Sequence, residues 1–264
     1  MSADSPPYTV HAIRTGTMTV DRAGLLYGVR PGTLVDIPVW AALVEGRGRR
    51  ILVDTGLANA ARWQRYQPTS QEPSESLGAA LAELGWSLGD IDTVVNTHLH
   101  YDHCENNPAL TQAQFFVSAQ EWDYAQRPVP SQAWSYAAEW TGADVTIDDY
   151  TLITTDNYEL TPGIRIIRTP GHTPGHQSVL IDTAEGVLCI AGDAACLMEN
   201  LLLPTPPAVT VSVEQSLVSL ARIRASADRV LMNHDPSLSP FETSGFPKLS
   251  TADRQPRPSH PGMD

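Results

Sequence analysis

Thr97-His98-Leu99-His100-Tyr101-Asp102-His103 sets three imidazoles and a carboxylate within six consecutive positions. Histidine and aspartate are poor core residues and mediocre helix formers, and neighbouring imidazoles repel one another once protonated. A divalent cation removes that conflict, because it binds neutral imidazole and carboxylate and holds them together. The stretch follows Thr93-Val94-Val95, a short apolar run that reads as a buried strand. The same order recurs further on: Ile166-Ile167-Arg168 precedes His172, Leu188-Cys189-Ile190 precedes Asp193, and Val230-Leu231-Met232 precedes His234. Loops leaving strand ends can gather at one rim of a layered fold, held by rigid strands. In extended backbone His98 and His100 point to the same side, so they can share one ion that His172 completes. Asp102 and His103 lie past a bend and face a second position that His234 completes, and Asp193 has two oxygens with which to bridge. This nitrogen and oxygen set suits two zinc ions, with manganese, iron or cobalt also compatible. Unrelated polar loop residues would account for a lone His-x-His, but not for the whole constellation.

The 264 residues suffice for one large domain, expected over 1–247. With 17 basic and 30 acidic residues the formal charge is −13, and Lys248 is the only lysine. No basic stripe is present, which argues against nucleic acid or an anionic membrane as a partner and leaves a small-molecule substrate. No apolar run is long enough to cross a bilayer. Met1–Val10 holds Asp4 and two prolines without a signal-peptide pattern, so a cytoplasmic location is expected. The three cysteines, Cys104, Cys189 and Cys196, form no Cys-x-x-Cys pair and no disulfide framework. Cys104 and Cys189 read as buried thiols.

Around these motifs the pattern is of an α/β protein. Tyr8–Arg14, Thr17–Asp21 and Val39–Glu45 read as short strands, and Gly46-Arg47-Gly48 turns the last into Arg50–Asp54. Asn59–Ser76 reads as a surface loop with some helix, and Ser76–Leu84 as a helix. Gln120–Thr141 carries Trp122, Tyr124, Trp134, Tyr136 and Trp140, with Pro128 and Pro130 dividing it into two helical pieces. Its rings would pack the insert onto the body, line a pocket or serve a homodimer. In the second half Ile164–Arg168, Ser178–Asp182, Val187–Ile190 and Arg229–Met232 read as strands and Val213–Ser226 as an amphipathic helix. Two β-then-helix halves predict a duplicated sandwich, although no sequence repeat is visible. The Pro- and Ser-rich tail 248–264 is expected to be disordered, with His260 idle within it. His11 lies in a strand and receives no role.

The seven-residue stretch, Asp54-Thr55-Gly56, Gly171-His172, Gly192-Asp193 and Asn233-His234-Asp235 together resemble the metallo-β-lactamase superfamily across Val39–Asp235. The resemblance implies a four-layer αββα sandwich in which Asp54 supports the site from behind the ligands. Thr169–Ser178 and Gly192-Asp193-Ala194-Ala195 are similar to the N-acyl homoserine lactonases and pyridoxolactonases, which implies lactone hydrolysis at a dinuclear zinc centre, a quorum-quenching activity in the former. There is one departure. Those lactonases carry a tyrosine three residues after the bridging aspartate, where this chain has Cys196. Cys196 is then a small filler, a weak donor or a reactive thiol, and Tyr101 and Tyr27 are the other hydroxyls to locate. His176 reads as a hydrogen-bonding partner within its Gly-Pro loop in preference to a ligand. On this reading two cations sharing a water supply hydroxide near neutral pH. The hydroxide attacks the lactone carbonyl and Asp102 carries a proton to the leaving alkoxide. Another cyclic or acyclic ester, imide, amide or thioester is the alternative within hydrolysis. Persulfide oxidation at a single iron is the alternative outside it.

Overall fold

Along β2 (Leu34–Gly46) every residue from Ile37 to Val44 is buried. Alternate side chains go to different cores: Val39, Ala41 and Leu43 to one, Trp40, Ala42 and Val44 to another. A strand with period-2 burial on both faces needs cover on both, and a computed structural model, which describes residues 7–136, 150–250 and 252–253, shows what covers it. Seven strands form the first sheet: β1 (Thr9–Asp21), β2, β3 (Arg49–Val53), β4 (Thr69–Ser70), β5 (Thr93–Val95), β6 (Gln114–Ser118) and β7 (Tyr150–Ile153), ordered β4-β1-β2-β3-β5-β6-β7. The second sheet holds β8 (Asn157–Thr161), β9 (Ile164–Arg168), β10 (Gln177–Thr183), β11 (Gly186–Ile190) and β12 (Arg229–Leu231), ordered β12-β11-β10-β9-β8.

The sheets meet face to face through Trp40, Ile51, Val53, Val95 and Phe116 on one side and Ile166, Val179, Ile181, Ile190 and Leu231 on the other. The outer face of the first sheet is covered by Leu77 and Leu81 of the helix Leu77–Glu83 and by Trp122 and Ala125 of the helix Ala119–Gln126. The outer face of the second sheet, with Leu180, Cys189 and Val230, is covered by Leu220 and Ile223 of the helix Val213–Ser226. Ser76 and Ser212 cap the first and last of these helices by accepting from Ala79 N and Gln215 N. The result is the αββα sandwich.

Several elements differ from expectation in instructive ways. The two runs Tyr8–Arg14 and Thr17–Asp21 form one 13-residue strand, because a bulge between Arg14 and Gly16 absorbs the apparent break. The β2–β3 hairpin turns at Arg47 and Gly48, with φ of 52° and 73°, as a two-residue turn between twisted strands requires. β4, β6, β7 and β8 were not expected. β8 pairs with β9 at the edge of the second sheet, where Tyr158 and Leu160 alternate with polar residues and pack half-buried against the central core. The aromatic insert breaks at its prolines into the helix Ala119–Gln126 and a single turn Ala133–Ser135, and Trp140 lies outside the described residues. The tail expected to be disordered from Lys248 instead begins packed. Lys248 bridges to Arg229 and the apolar side chain of Leu249 is buried beneath the second sheet. The residues 254–264, His260 among them, lie outside the described residues. Among the described residues no helix is long and apolar enough to cross a membrane.

Candidate metal centre

The loops that leave the C-terminal ends of β5, β9, β11 and β12 converge at one rim, the position where layered α/β folds collect their ligands. The single helical turn Tyr101–Cys104 carries Asp102 and His103 round the bend after His100. His98, His100 and His172 offer ligand atoms within 4.8 Å of one another, as do His98, His103 and Asp193, and Asp102, His103 and His234. His172 Nε2 lies 3.0 Å from His100 Nδ1 and 3.4 Å from Asp193 Oδ2. The other oxygen, Asp193 Oδ1, lies 3.3 Å from both His103 Nε2 and His234 Nε2, and Asp102 Oδ2 is 3.6 Å from each of those nitrogens. The seven residues singled out from the sequence are therefore brought together, with the two Asp193 oxygens facing two separate groups.

The imidazoles are oriented from behind. His103 Nδ1–H donates to Asp54 Oδ2 at 2.7 Å, His234 Nδ1–H to Pro38 O at 2.9 Å and His172 Nδ1–H to Val209 O at 2.6 Å. His98 Nδ1 lies 3.1 Å from Thr97 Oγ1, which donates to Asp54 Oδ2 at 2.7 Å. These bonds leave the Nε2 lone pairs facing the cluster, the tautomer that metal ligation needs. His98 Nε2 is buried without a hydrogen-bond partner. An orphaned buried acceptor is costly, and a cation in contact with it removes the cost, so the residues present fit a metal. Asp54 itself has φ 59°, in the left-handed region, and accepts from Thr97 N at 2.7 Å as well. Backbone in that region is uncommon for a residue other than glycine, and here it aims the carboxylate at Thr97 and His103 together.

Charge divides the histidines. Burial, then repulsion from neighbouring imidazoles, holds His98 and His100 well below the ordinary histidine range. Burial also lowers His172 against the pull of Asp193. Burial opposes charge on His103 and His234 too. Asp102, Asp193 and Asp54 around His103, and Asp193 and Asp102 around His234, more than offset it and raise both. Asp193 is held well below the carboxylate range, because His234, His103 and His172 outweigh its burial. Protons and cations compete for the same His103 and His234 nitrogens.

His176 does not join the cluster. Its Nε2 accepts from Asp193 N at 3.0 Å and its Nδ1 meets Thr169 Oγ1 at 2.9 Å, while burial, helped by His172, lowers its pKa to about 3. Tyr101 has its ring stacked on Trp63, and its hydroxyl accepts from Gln67 Nε2 at 2.6 Å. Tyr27 is exposed. Cys196 is buried at the wall of the site, and burial together with Asp193 and Asp102 pushes its thiol well above the ordinary range. Without cations, that direction favours the small-filler reading of Cys196 over a reactive thiol. Sequence reasoning missed Glu121, which is wholly buried behind His98 and His100 and whose carboxyl burial pushes up despite several donors. No sequence signal singles it out, since Asp123 two residues on is equally acidic. A cavity of about 430 Å³ opens onto the cluster. Its inner end is His100, Asp102, His172, Asp193 and His234, and its outer wall is Met18, Val20, Leu25, Ile37, Tyr66 and Trp134.

A buried His/Asp cluster with two facing groups, at the rim of an αββα sandwich and at the foot of a largely apolar cavity, defines the metallohydrolase class of site. Comparison with known proteins places the chain within that class. The family described as the metallo-beta-lactamase superfamily matches residues 34–232, and the chain belongs to it. An N-acyl homoserine lactonase of a Bacillus species is 30% identical over 228 residues, covering 81% of this chain and 86% of that protein. The N-acyl homoserine lactonase of Bacillus cereus is 29% identical over 227 residues, with the same coverage. A solved N-acyl homoserine lactone hydrolase, with the product N-hexanoyl-L-homoserine at its catalytic metal centre, superposes with a TM-score of 0.77 at 26% identity, covering 88% of this chain and 94% of that one.

Proposed function

We propose that this protein opens lactone rings by hydrolysis. On this reading His98, His100 and His172 would hold one divalent cation and Asp102, His103 and His234 a second, with the Asp193 carboxylate between the two groups. The observation that carries the reading is the pair of Asp193 oxygens, one facing His172 and the other facing His103 and His234. Cations bound there would lower the pKa of a water and polarise a carbonyl oxygen. The protein's own residues do the rest. Asp54 and the Pro38 and Val209 carbonyls hold the imidazoles in the ligating tautomer. Asp102, a carboxylate at the inner end of the cavity, takes up the proton that the attacking water gives up and passes it to the ring oxygen as the ring C–O bond breaks. The wall of Met18, Leu25, Ile37 and Cys196 keeps water from that oxygen and receives the apolar part of the substrate.

The lactonase relatives support a lactone over other acyl substrates, and the acidic surface supports a neutral one. The second ligand group, with Asp102, His103 and His234, favours two cations over a single iron. The donor set suits zinc, and a cytoplasmic location is part of the proposal. The test is metal content joined to a panel of lactones, cyclic imides and thioesters, assayed with and without chelator. About two ions per chain are expected, with lactone turnover lost in chelator and restored by zinc or manganese. Undiminished turnover in chelator, or hydrolysis of thioesters and of no lactone, refutes the proposal.

A further inference from the structure

Glu121 lies at the start of the helix Ala119–Gln126, its side chain completely buried. Its Oε1 accepts from Leu99 N at 3.0 Å, the peptide between His98 and His100, and from Tyr136 Oη at 2.7 Å. Its Oε2 accepts from Thr173 Oγ1 at 2.5 Å, the residue after His172, and Gly175 N is a further backbone donor to the same carboxyl. One carboxylate thus joins the loop after β5 to the loop after β9. These are the loops that supply the first trio from opposite sheets. The rest of the same segment adds to this hold. The Tyr136 ring packs edge-on against His100 with centroids 4.6 Å apart, and Gln132 Nε2 donates to His172 O at 3.1 Å. The second trio is tied elsewhere, through Asp54 to His103 and through Pro38 to His234.

We propose that Glu121 is the positioning residue for the His98, His100 and His172 half of the centre, and that it sets the affinity of that cation position while leaving the Asp102, His103 and His234 position unaffected. The proposal rests on the two-cation reading above. Glu121 touches no reacting atom; it acts through the peptide and side chains that carry the imidazoles. Buried charge-assisted bonds of this kind hold geometry more firmly than neutral ones, and removing the partners that orient ligands typically weakens metal binding about ten- to a hundredfold.

The test is a cycle of zinc affinities, measured by chelator competition on the whole chain. In an Asp102→Ala background, which spares the first trio, Glu121→Gln should weaken zinc binding about ten- to a hundredfold. In a His172→Ala background, which removes that trio, the same change should alter zinc affinity by less than about twofold. Equal weakening in both backgrounds, which a merely structural role gives, overturns the proposal, as does no weakening in the first. Should Glu121→Gln fail to fold, Tyr136→Phe removes one of its donors and should show the same asymmetry at smaller amplitude. The same two outcomes decide it. An unaltered chain that binds no zinc refutes this proposal and the two-cation reading together. The expected asymmetry without any lactone turnover refutes the lactonase reading alone.

Discussion

Replacing Asp54 by asparagine isolates what one buried charge contributes to both folding and the centre. The residue sits at φ 59°, and its carboxylate accepts from Thr97 N, Thr97 Oγ1 and His103 Nδ1, each at 2.7 Å. Asparagine has the same shape and tolerates left-handed backbone, so the substitution removes charge and one acceptor without a cavity. With the amide oxygen in the place of Oδ2, the bonds to Thr97 Oγ1 and His103 survive in neutral form. The amide nitrogen then faces Thr97 N–H, donor against donor. A hydrogen bond to a charged acceptor contributes about 1.5–3 kcal/mol, and a buried donor left unmet costs about 1–3 kcal/mol. Allowing for relaxation, Asp54→Asn should destabilise the metal-free protein by about 2–4 kcal/mol. In a chain of this size that lowers Tm by about 5–15 °C. His103 also loses its anionic partner, so zinc affinity should fall about ten- to a hundredfold. Urea unfolding of the metal-free protein measures the first effect and chelator competition the second. A variant with unchanged stability and zinc affinity within about twofold of the parent would refute the role given to Asp54.

The buried groups around the centre make two further predictions. His176 keeps a pKa of about 3 against an ordinary value of 6.5. The unfolded chain therefore takes up a proton below about pH 6.5 that the folded chain refuses, and the stability His176 contributes is lost as pH falls from 6.5 towards 3. His176→Gln should flatten that part of the stability curve of the metal-free protein, and an unchanged slope contradicts the assignment. Cys104, Cys189 and Cys196 are all buried with thiols pushed above their ordinary range, Cys189 to about 12. Iodoacetamide at neutral pH should leave the native chain unmodified by intact mass while the denatured chain takes three adducts. Rapid alkylation of native Cys196 would show a thiolate that the structure denies.

The His/Asp cluster was legible in the sequence because metal chemistry restricts both residue type and placement. Imidazoles and carboxylates just past apolar strands have few other uses, and the short apolar runs of β5, β9, β11 and β12 mark where each strand ends. Asp54 was legible only through the family resemblance, since a single Asp-Thr-Gly after a strand also reads as a turn. Glu121 was not legible, for a physical reason. An acidic residue in the first turn of a helix ordinarily faces water and favours the helix dipole. It is buried here because Gly175 lets two backbones meet: a Cβ built there would lie 2.0 Å from Glu121 N. That approach joins residues 54 positions apart and leaves no local pattern. The packed start of the tail was hidden in the same way, since Leu249 is one apolar residue among polar ones and only the exposed edge at β12 gives it a place.

The arrangement of the two sheets explains why the centre has two halves. Each trio takes two residues from the loop after β5 in the first sheet and one from the second sheet: His98 and His100 with His172, Asp102 and His103 with His234. Asp193, between them, also comes from the second sheet. Neither sheet alone holds a complete ligand group, so the site exists only when the central core of Trp40, Val95, Phe116, Val179 and Ile190 is formed. Trp40 makes the link directly: its backbone N–H donates to Asn233 O at 3.2 Å and its indole to Asp235 O at 3.1 Å, on either side of His234. Cation binding and sheet docking are therefore linked equilibria, and whatever binds the docked state alone stabilises it by mass action. A metal that enters this centre acts as a clamp across the sandwich as well as a reagent.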